Sequence, residues 1–162
     1  MRDEFKAGKL AMMGLLSDED RAKAADLVAQ VQSTGIETVR VLFVDQHGIL
    51  RGKTIVASAF GSVFGAGLAV PSTLLLKDTS HRTVFDVWSR ASETDAGPMQ
   101  GAGDVLLVPC PDTFRVLPWS LHSAWIFCDV VFRNGRPVPF SSRHVLRSAM
   151  DQLADQGMAS VF

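Results

Sequence analysis

Several features that mark common classes of protein are scarce or absent in this sequence. Its 162 residues contain only two cysteines, Cys110 and Cys128, which form neither a CxxC pair nor a tight cluster. Both stand in apolar, strand-like surroundings, which indicates buried free thiols. Lys and Arg number 16 against 17 Asp and Glu. This balance leaves no excess of charge to attract nucleic acid or an anionic membrane.

Membrane, secretory and zinc-binding patterns are also missing. No run approaches the roughly 18 apolar residues of a membrane span, and the start, Met1-Arg2-Asp3-Glu4, is too charged for a secretory signal. The four histidines never occur at the i, i+4 spacing that presents two imidazoles on one helix face. We therefore expect a cytoplasmic protein with no nucleic acid or membrane partner and no histidine metal site in this chain.

The sequence does contain a clear change from helical to extended patterning. Residues 1–16 show no clean period, whereas Ser17 precedes three acidic residues and an apolar repeat of helical spacing that ends at Gly35. This pattern predicts a capped amphipathic helix. The extended runs 39–44 and 49–56 then predict a β-hairpin. Further along the chain we predict a short helix at 58–64, extended runs at 73–77, 104–109, 113–117 and 124–132, and a turn at 134–135. A last helix runs from 141 or 142 to a stop at Gly157, and its predicted apolar face is made of Val145, Leu146, Ala149, Met150 and Leu153.

This order of elements predicts an α+β fold, in which a mixed sheet is covered by helices on one side. Residues 1–37 form an N-terminal helical extension in this interpretation, and residues 38–162 form the domain. Residues 78–103 are rich in turn-forming residues, and connections of that length tend to be binding loops, lids or disordered segments. Residues 158–162 begin an apolar strand without completing it, so we expect a longer natural protein.

A set of short motifs follows in order along residues 38–162, and their succession is more informative than any one of them. They are Phe43-Val44-Asp45, Gly48, Arg51-Gly52-Lys53, Asp78-Thr79-Ser80, Gly103-Asp104-Val105, Pro109, Asp112 and Ser142-Arg143-His144-Val145-Leu146. Together they resemble the amino-terminal β-grasp domain of the glutamine synthetase family. The D..G..RGK hairpin is similar to that of the branch containing γ-glutamylpolyamine synthetases and related γ-glutamyl-amide ligases.

The resemblance implies an ATP-dependent ligase that joins glutamate to ammonia or another amine through γ-glutamyl phosphate. A C-terminal catalytic domain would hold ATP, glutamate and the divalent metal, Mg or Mn, so this chain would bind no cofactor and would be inactive alone. The amino-terminal domain would close the active site of the neighbouring subunit in a homo-oligomeric ring. Its protein partners would be its own catalytic domain and the neighbouring subunits.

The resemblance also assigns an ammonium- or amine-binding loop to Asp78, Thr79 and Ser80. A carboxylate beside a protonated amine attracts the cation and accepts its proton, which makes Asp78 the candidate catalytic residue. An ordinary Asx turn after a strand is the alternative interpretation. Thr79 and His81 stand where glutamine synthetases proper have Gly and Ser, which puts ammonia in doubt and favours a larger amine.

Three other side chains have two interpretations each. Arg51 and Lys53 could bind an anion or a neighbouring subunit, although solvated cations on the polar face of a strand explain them more simply. Trp88 could shield the reacting acyl phosphate from water or serve as a hydrophobic anchor. Two other functions also remain open: a stand-alone β-grasp module that binds a partner without catalysis, and a γ-glutamylpolyamine synthetase that uses an organic amine.

Overall fold

The computed structural model describes residues 8–84, 99 and 103–158. Their hydrophobic residues form one core between a sheet and the helices that pack on it. The α-helices and strands, in chain order, are α1 (Lys9–Met12), α2 (Asp18–Ser33), β1 (Thr38–Val44), β2 (Leu50–Val56), α3 (Phe60–Ala66), β3 (Leu68–Pro71), β4 (Asp104–Pro109), β5 (Arg115–Leu117), β6 (Ser120–Phe132) and α4 (Ser142–Asp155). Short 3-10 helices lie at Ala57–Ala59, Ser72–Leu76 and Pro111–Thr113.

The sheet is mixed and mostly antiparallel. Its main path runs β2-β1-β6-β4-β3, and β5 pairs with β6 beside that path. β1 and β6 are parallel, whereas the other pairs are antiparallel. The predicted α+β fold, with a mixed sheet and packed helices, is therefore confirmed. The division of the chain into residues 1–37 and 38–162 stays a prediction.

Helix α2 begins and ends where its sequence signals predict. The Ser17 hydroxyl accepts a hydrogen bond from the Asp20 N–H (3.0 Å), and the Asp20 carboxylate accepts one from the Ser17 N–H (3.1 Å). These two bonds form a capping box. Gly35 follows the helix with a φ of 70°, a left-handed conformation that glycine adopts without steric cost. The buried face of α2, which includes Val28 and Val31, belongs to the shared core.

The predicted hairpin is also confirmed, and a tight turn joins its strands. β1 and β2 pair in register from Thr38 opposite Val56 to Val44 opposite Leu50. The turn is closed by the Asp45 N–H, which donates to the Ile49 carbonyl at 3.0 Å. This hairpin forms one edge of the sheet.

The predicted extended run at 73–77 is wrong, because Ser72–Leu76 forms a 3-10 helix. Its leucines are contiguous, and a short apolar run has no period that separates a buried helical turn from a buried strand. The strand in this region is β3, which comes earlier, at Leu68–Pro71. It pairs with β4 at the end of the sheet path, where a proline is tolerated.

The second half of the chain departs from prediction at element boundaries. The predicted strand 113–117 is shorter, since Pro111–Thr113 is a 3-10 helix and β5 starts at Arg115. β6 starts at Ser120, four residues before the predicted start at 124. Among the described residues, no helix has both the length and the apolar character needed to cross a bilayer.

Helix α4 forms as predicted, but none of its residues is buried. Val145 and Leu146, from the predicted apolar face, are 52% and 54% exposed. Two ion pairs join the helix to β6, because Arg143 and Arg147 both donate to the carboxylate of Asp129, at 2.9 and 2.7 Å. Its apolar side is therefore available to a partner.

The prediction of two buried free thiols is correct for one cysteine only. Both cysteines are free, but only Cys128 is buried, and that burial raises the pKa of its thiol. Cys110 is half-buried, and its Sγ accepts a hydrogen bond from Arg143 Nη2 at 3.3 Å. The strand alternation that buries Cys128 in β6 does not extend to Cys110, which follows the end of β4.

Candidate functional site

Asp78 opens a compact turn, residues 78–82, which we call the Asp78 turn. Its Oδ1 accepts hydrogen bonds from the N–H groups of Ser80 and Arg82, both at 2.8 Å. The Asp78 carbonyl also accepts a bond from the His81 N–H at 3.0 Å. This is the Asx geometry of the simpler interpretation, although it follows a 3-10 helix instead of the expected strand.

The Asp78 turn lies at the surface. Asp78 is half-buried, whereas Thr79, Ser80 and the two following residues are exposed. Neither bond inside the turn uses Oδ2 of Asp78. The turn therefore fixes one carboxylate oxygen and leaves the other outside its own hydrogen bonds, so that an Asx turn and a binding loop are compatible here.

His81 has an unusual backbone conformation and a specific side-chain contact. Its φ is 62°, and it is the one residue other than glycine with a positive φ in the described part of the chain. Its Nδ1 lies 3.3 Å from Nη1 of Arg51. Because arginine can only donate, Nδ1 of His81 is the acceptor in this contact.

Arg51 is anchored by a buried carboxylate at the start of the β1–β2 turn. Asp45 is 1% exposed, and its Oδ2 accepts a hydrogen bond from Arg51 Nε at 2.6 Å. Its Oδ1 accepts bonds from the N–H groups of His47 (2.8 Å) and Ile49 (3.0 Å). Burial alone would raise the pKa of the Asp45 carboxyl, but Arg51 and these two N–H groups outweigh burial and lower it.

A second contact joins the β1–β2 turn to the Asp78 turn. Nε2 of His47 lies 3.1 Å from the carbonyl oxygen of Lys77, the residue before Asp78. Lys77 in turn donates through Nζ to the Thr83 hydroxyl at 2.9 Å, which closes the loop around the Asp78 turn. The hairpin thus contacts this loop on both sides of Asp78, at Lys77 and at His81.

The two cations of the Arg51-Gly52-Lys53 motif do not meet at one point. Arg51 pairs with Asp45, whereas Lys53 Nζ donates to the backbone carbonyl of Ala69 at 2.8 Å. Each cation is thus engaged with a different part of its own chain. A role for them toward an anion or a neighbouring subunit stays a prediction.

The remaining sequence candidates fall in two places. Trp88 lies outside the described residues, so its predicted role stays a prediction. Asp104 starts β4, and its Oδ2 lies 3.8 Å from Arg133 Nη1 in an exposed ion pair, which fits a structural role. Sequence reasoning assigned no role to Asp45 and His47, and it treated His81 only as a departure from the family motif. The D..G..RGK spacing was the available signal, because it places Asp45 and Arg51 at the two ends of one tight turn.

The side chains that commonly bind metal ions are dispersed in the described part of the chain. Within residues 8–84, 99 and 103–158, no group of three or more His, Cys, Asp or Glu side chains is arranged to hold a metal ion. The Asp78 turn itself offers a single carboxylate. The resemblance assigns the Mg or Mn site to a C-terminal catalytic domain, which the described residues do not include, so that site stays a prediction.

Comparison with known proteins gives one consistent set of relatives. The gamma-glutamylanilide synthase of an Acinetobacter species is 30% identical over 146 residues, which are 88% of this chain and 29% of that protein. The gamma-glutamylethanolamide synthetase of Streptomyces coelicolor is 32% identical over 137 residues, covering 82% and 28%. A solved structure of a GmaS/ADP complex matches with a TM-score of 0.61 and 27% identity over 81% of this chain and 26% of that chain. No family model matches the chain.

The fold and these matches define an α+β domain of the glutamine synthetase type, like the amino-terminal domain of such proteins. The chain belongs to the glutamine synthetase family, of which these relatives are members. It spans under a third of the length of the curated relatives it matches. The family resemblance drawn from the ordered motifs is therefore confirmed.

Proposed function

We propose that the full-length protein is an ATP-dependent ligase that joins the γ-carboxyl group of glutamate to an organic amine. The residues described here would form its amino-terminal domain, which closes the active site of a neighbouring subunit in a homo-oligomeric ring. The observation that carries the proposal is the Asp78 turn. In this turn, two backbone N–H groups bind Oδ1 of Asp78 and so fix the carboxylate at the protein surface.

The proposed role of Asp78 follows from the charge of the amine. An alkylamine is protonated at neutral pH and has no lone pair with which to attack. A carboxylate beside the bound cation attracts it and accepts its proton. The freed lone pair then forms the bond to the activated γ-carbonyl carbon of glutamate, and the leaving phosphate takes the electron pair of the broken bond. Oδ2 is the proposed acceptor, since Oδ1 already accepts two N–H bonds.

An organic amine is proposed because two independent observations favour it over ammonia. The matched relatives include proteins named for the synthesis of γ-glutamylanilide and γ-glutamylethanolamide. In this chain, Thr79 and the exposed ring of His81 stand beside Asp78. These side chains are larger than the Gly and Ser of glutamine synthetases proper, and they would change the surface that the non-reacting part of the amine contacts.

The other requirements of the reaction are assigned to the rest of the full-length protein. ATP, glutamate and the metal, Mg or Mn, would be bound by a catalytic domain that the described residues do not include. Residues 1–162 alone would then be inactive. We also propose a cytoplasmic location and no nucleic acid or membrane partner, in line with the balanced charge of the chain.

The test is a product assay on the purified full-length protein. ATP, Mg²⁺ and glutamate are supplied with ammonium, ethanolamine, aniline or putrescine in turn, and γ-glutamyl amides are measured by mass spectrometry beside phosphate release. We expect a higher kcat/KM for at least one organic amine than for ammonium. A preference for ammonium would contradict the choice of amine, and the absence of any amide would favour the non-catalytic interaction module.

A further inference from the structure

We propose that Arg51 is a positioning residue, which holds His81 and thereby sets the orientation of the Asp78 carboxylate toward the amine. The inference rests on the proposed function, because it identifies the contacts that keep the Asp78 carboxylate in place. Its starting observation is the 3.3 Å contact between Arg51 Nη1 and His81 Nδ1, which joins residues 30 positions apart in sequence.

The Asp45–Arg51 pair holds the Arg51 side chain in place. Asp45 is buried and accepts three hydrogen bonds, one of them from Arg51 Nε. The side chain of Arg51 is only 11% exposed. A charge-assisted bond to a fixed carboxylate leaves the guanidinium little freedom. Arg51 therefore presents Nη1 from a nearly fixed position.

The unused donor of Arg51 supports a role toward His81. Its Nη2 is buried and has no hydrogen-bond partner among the described residues. Buried donors without a partner are rare, and each has an energetic cost. The guanidinium is thus oriented so that Nη1 reaches an exposed histidine ring, while Nη2 has no partner among the described residues. An arginine placed only to neutralise Asp45 would not require this orientation.

The target of Arg51 is the strained position in the Asp78 turn. His81 has a φ of 62°, a left-handed backbone conformation that is disfavoured for residues other than glycine. It lies between Ser80 and Arg82, whose N–H groups donate to Oδ1 of Asp78. A change in the backbone at residue 81 must therefore move the donors that orient the carboxylate. The His47 contact to Lys77 holds the other side of the same loop.

A double-mutant cycle in the full-length enzyme tests this inference, with Arg51→Gln, His81→Gly and their combination. His81→Gly keeps the Asp45–Arg51 pair and suits the left-handed backbone, so it removes the contact, together with the ring proposed to face the amine, without loss of the fold. We expect each single change to raise the KM for the preferred amine about tenfold, the factor that one charge-assisted hydrogen bond supplies. The KM values for ATP and glutamate should stay unchanged.

The double variant shows whether Arg51 acts through His81 or whether the two residues affect the amine KM independently. If Arg51 acts through His81, the double variant will have an amine KM close to that of either single variant. Arg40→Gln, which removes an exposed cation of the same hairpin, is the matched control and should not change the amine KM. An unchanged amine KM in His81→Gly, or single effects that multiply in the double variant, would overturn the inference. Failure of the wild-type enzyme to form any γ-glutamyl amide would instead overturn the proposed function.

Discussion

Gly52 separates the two cations of the Arg51-Gly52-Lys53 motif, and the backbone around it explains why a side chain is excluded. A Cβ atom built at this residue would lie 2.0 Å from the carbonyl oxygen of Val41 on the neighbouring strand, with the glycine at a φ of 155°. The glycine thus permits close approach of two strands. It does not bring the two cations onto an anion.

Gly52→Ala should destabilise the domain by more than ~3 kcal/mol, because the clash is with backbone that cannot move without breaking the hairpin. The matched control is Gly48→Ala. Gly48 has a φ of 79° but open space around its Cβ position, so only the conformational cost of about 1 kcal/mol applies. Urea unfolding measures both. Equal destabilisation by the two changes would contradict the close-approach account.

The Asp45–Arg51 pair should make stability depend on acid pH. Arg51 and two backbone N–H groups lower the pKa of Asp45 in the folded state below the value of about 3.9 for an unfolded chain. The stabilisation is therefore complete above that value, and it is lost as the pH falls through the folded pKa. Asp45→Asn should cost roughly 3 kcal/mol at neutral pH, since it leaves Arg51 without its anion.

The measurement is the free energy of unfolding of both proteins from neutral to acid pH. The difference between wild type and Asp45→Asn should shrink as the pH falls. The control, Asp155→Asn, changes an exposed carboxylate of α4 and should stay within about 0.5 kcal/mol of wild type. A difference for Asp45→Asn that is constant across this range would refute the proposed linkage.

At the scale of residues, hydrogen bonds between near neighbours in the sequence could be predicted, whereas contacts between residues far apart in the sequence could not. The Asx turn at Asp78 depends on residues within four positions, so the sequence contained its signal. The Arg51–His81 contact spans 30 positions. It also depends on a positive φ at a histidine, which no residue pattern indicates.

At the scale of elements, the capping box made the start of α2 predictable from the sequence. Ser17 and Asp20 exchange two backbone-to-side-chain hydrogen bonds, and both residue types occupy the expected positions. Continuous apolar runs were harder to interpret. The leucines at 74–76 lack any alternation, and their turn of 3-10 helix was mistaken for a strand.

Ser17→Ala should lower the free energy of unfolding by about 1 kcal/mol, because the N–H of Asp20 loses its acceptor. Ser33→Ala is the matched control at the other end of α2. Its hydroxyl donates to a helix carbonyl and caps no N–H group, so we expect less than about 0.5 kcal/mol. Thermal or urea unfolding of the two variants gives the comparison. The same loss in both would rule out a specific effect of the capping box.

At the scale of the whole molecule, the described surface carries exposed apolar side chains, as expected of a domain that packs against other domains or subunits. Val145 and Leu146 on α4 and Trp119 beside β6 are more than half exposed. Exposed apolar groups of this kind mark interaction surfaces. The proposed catalytic domain and ring neighbours would cover them. The sequence predicted the apolar face of α4 correctly but not its exposure, because a periodic pattern does not tell which partner buries it.

Residues 1–162 alone should form no γ-glutamyl amide and should hydrolyse no ATP, because the proposed function assigns ATP, glutamate and the metal to a separate catalytic domain. The assay is the mass-spectrometric product measurement described above, with the full-length enzyme as the positive control. Turnover above background by the short chain would show that catalysis needs no further domain.

Asp78 is proposed to receive the amine, and the kinetics of Asp78→Asn in the full-length enzyme are the decisive test of that role. An asparagine oxygen can accept the same two N–H bonds, so the turn should persist while the charge and the proton acceptor are lost. Asp112→Asn, which removes an exposed carboxylate paired with Lys23, is the control. We predict that kcat/KM for the amine falls at least ~100-fold in Asp78→Asn alone, with unchanged KM for ATP and glutamate. A kcat/KM for the amine equal to that of wild type would contradict the account.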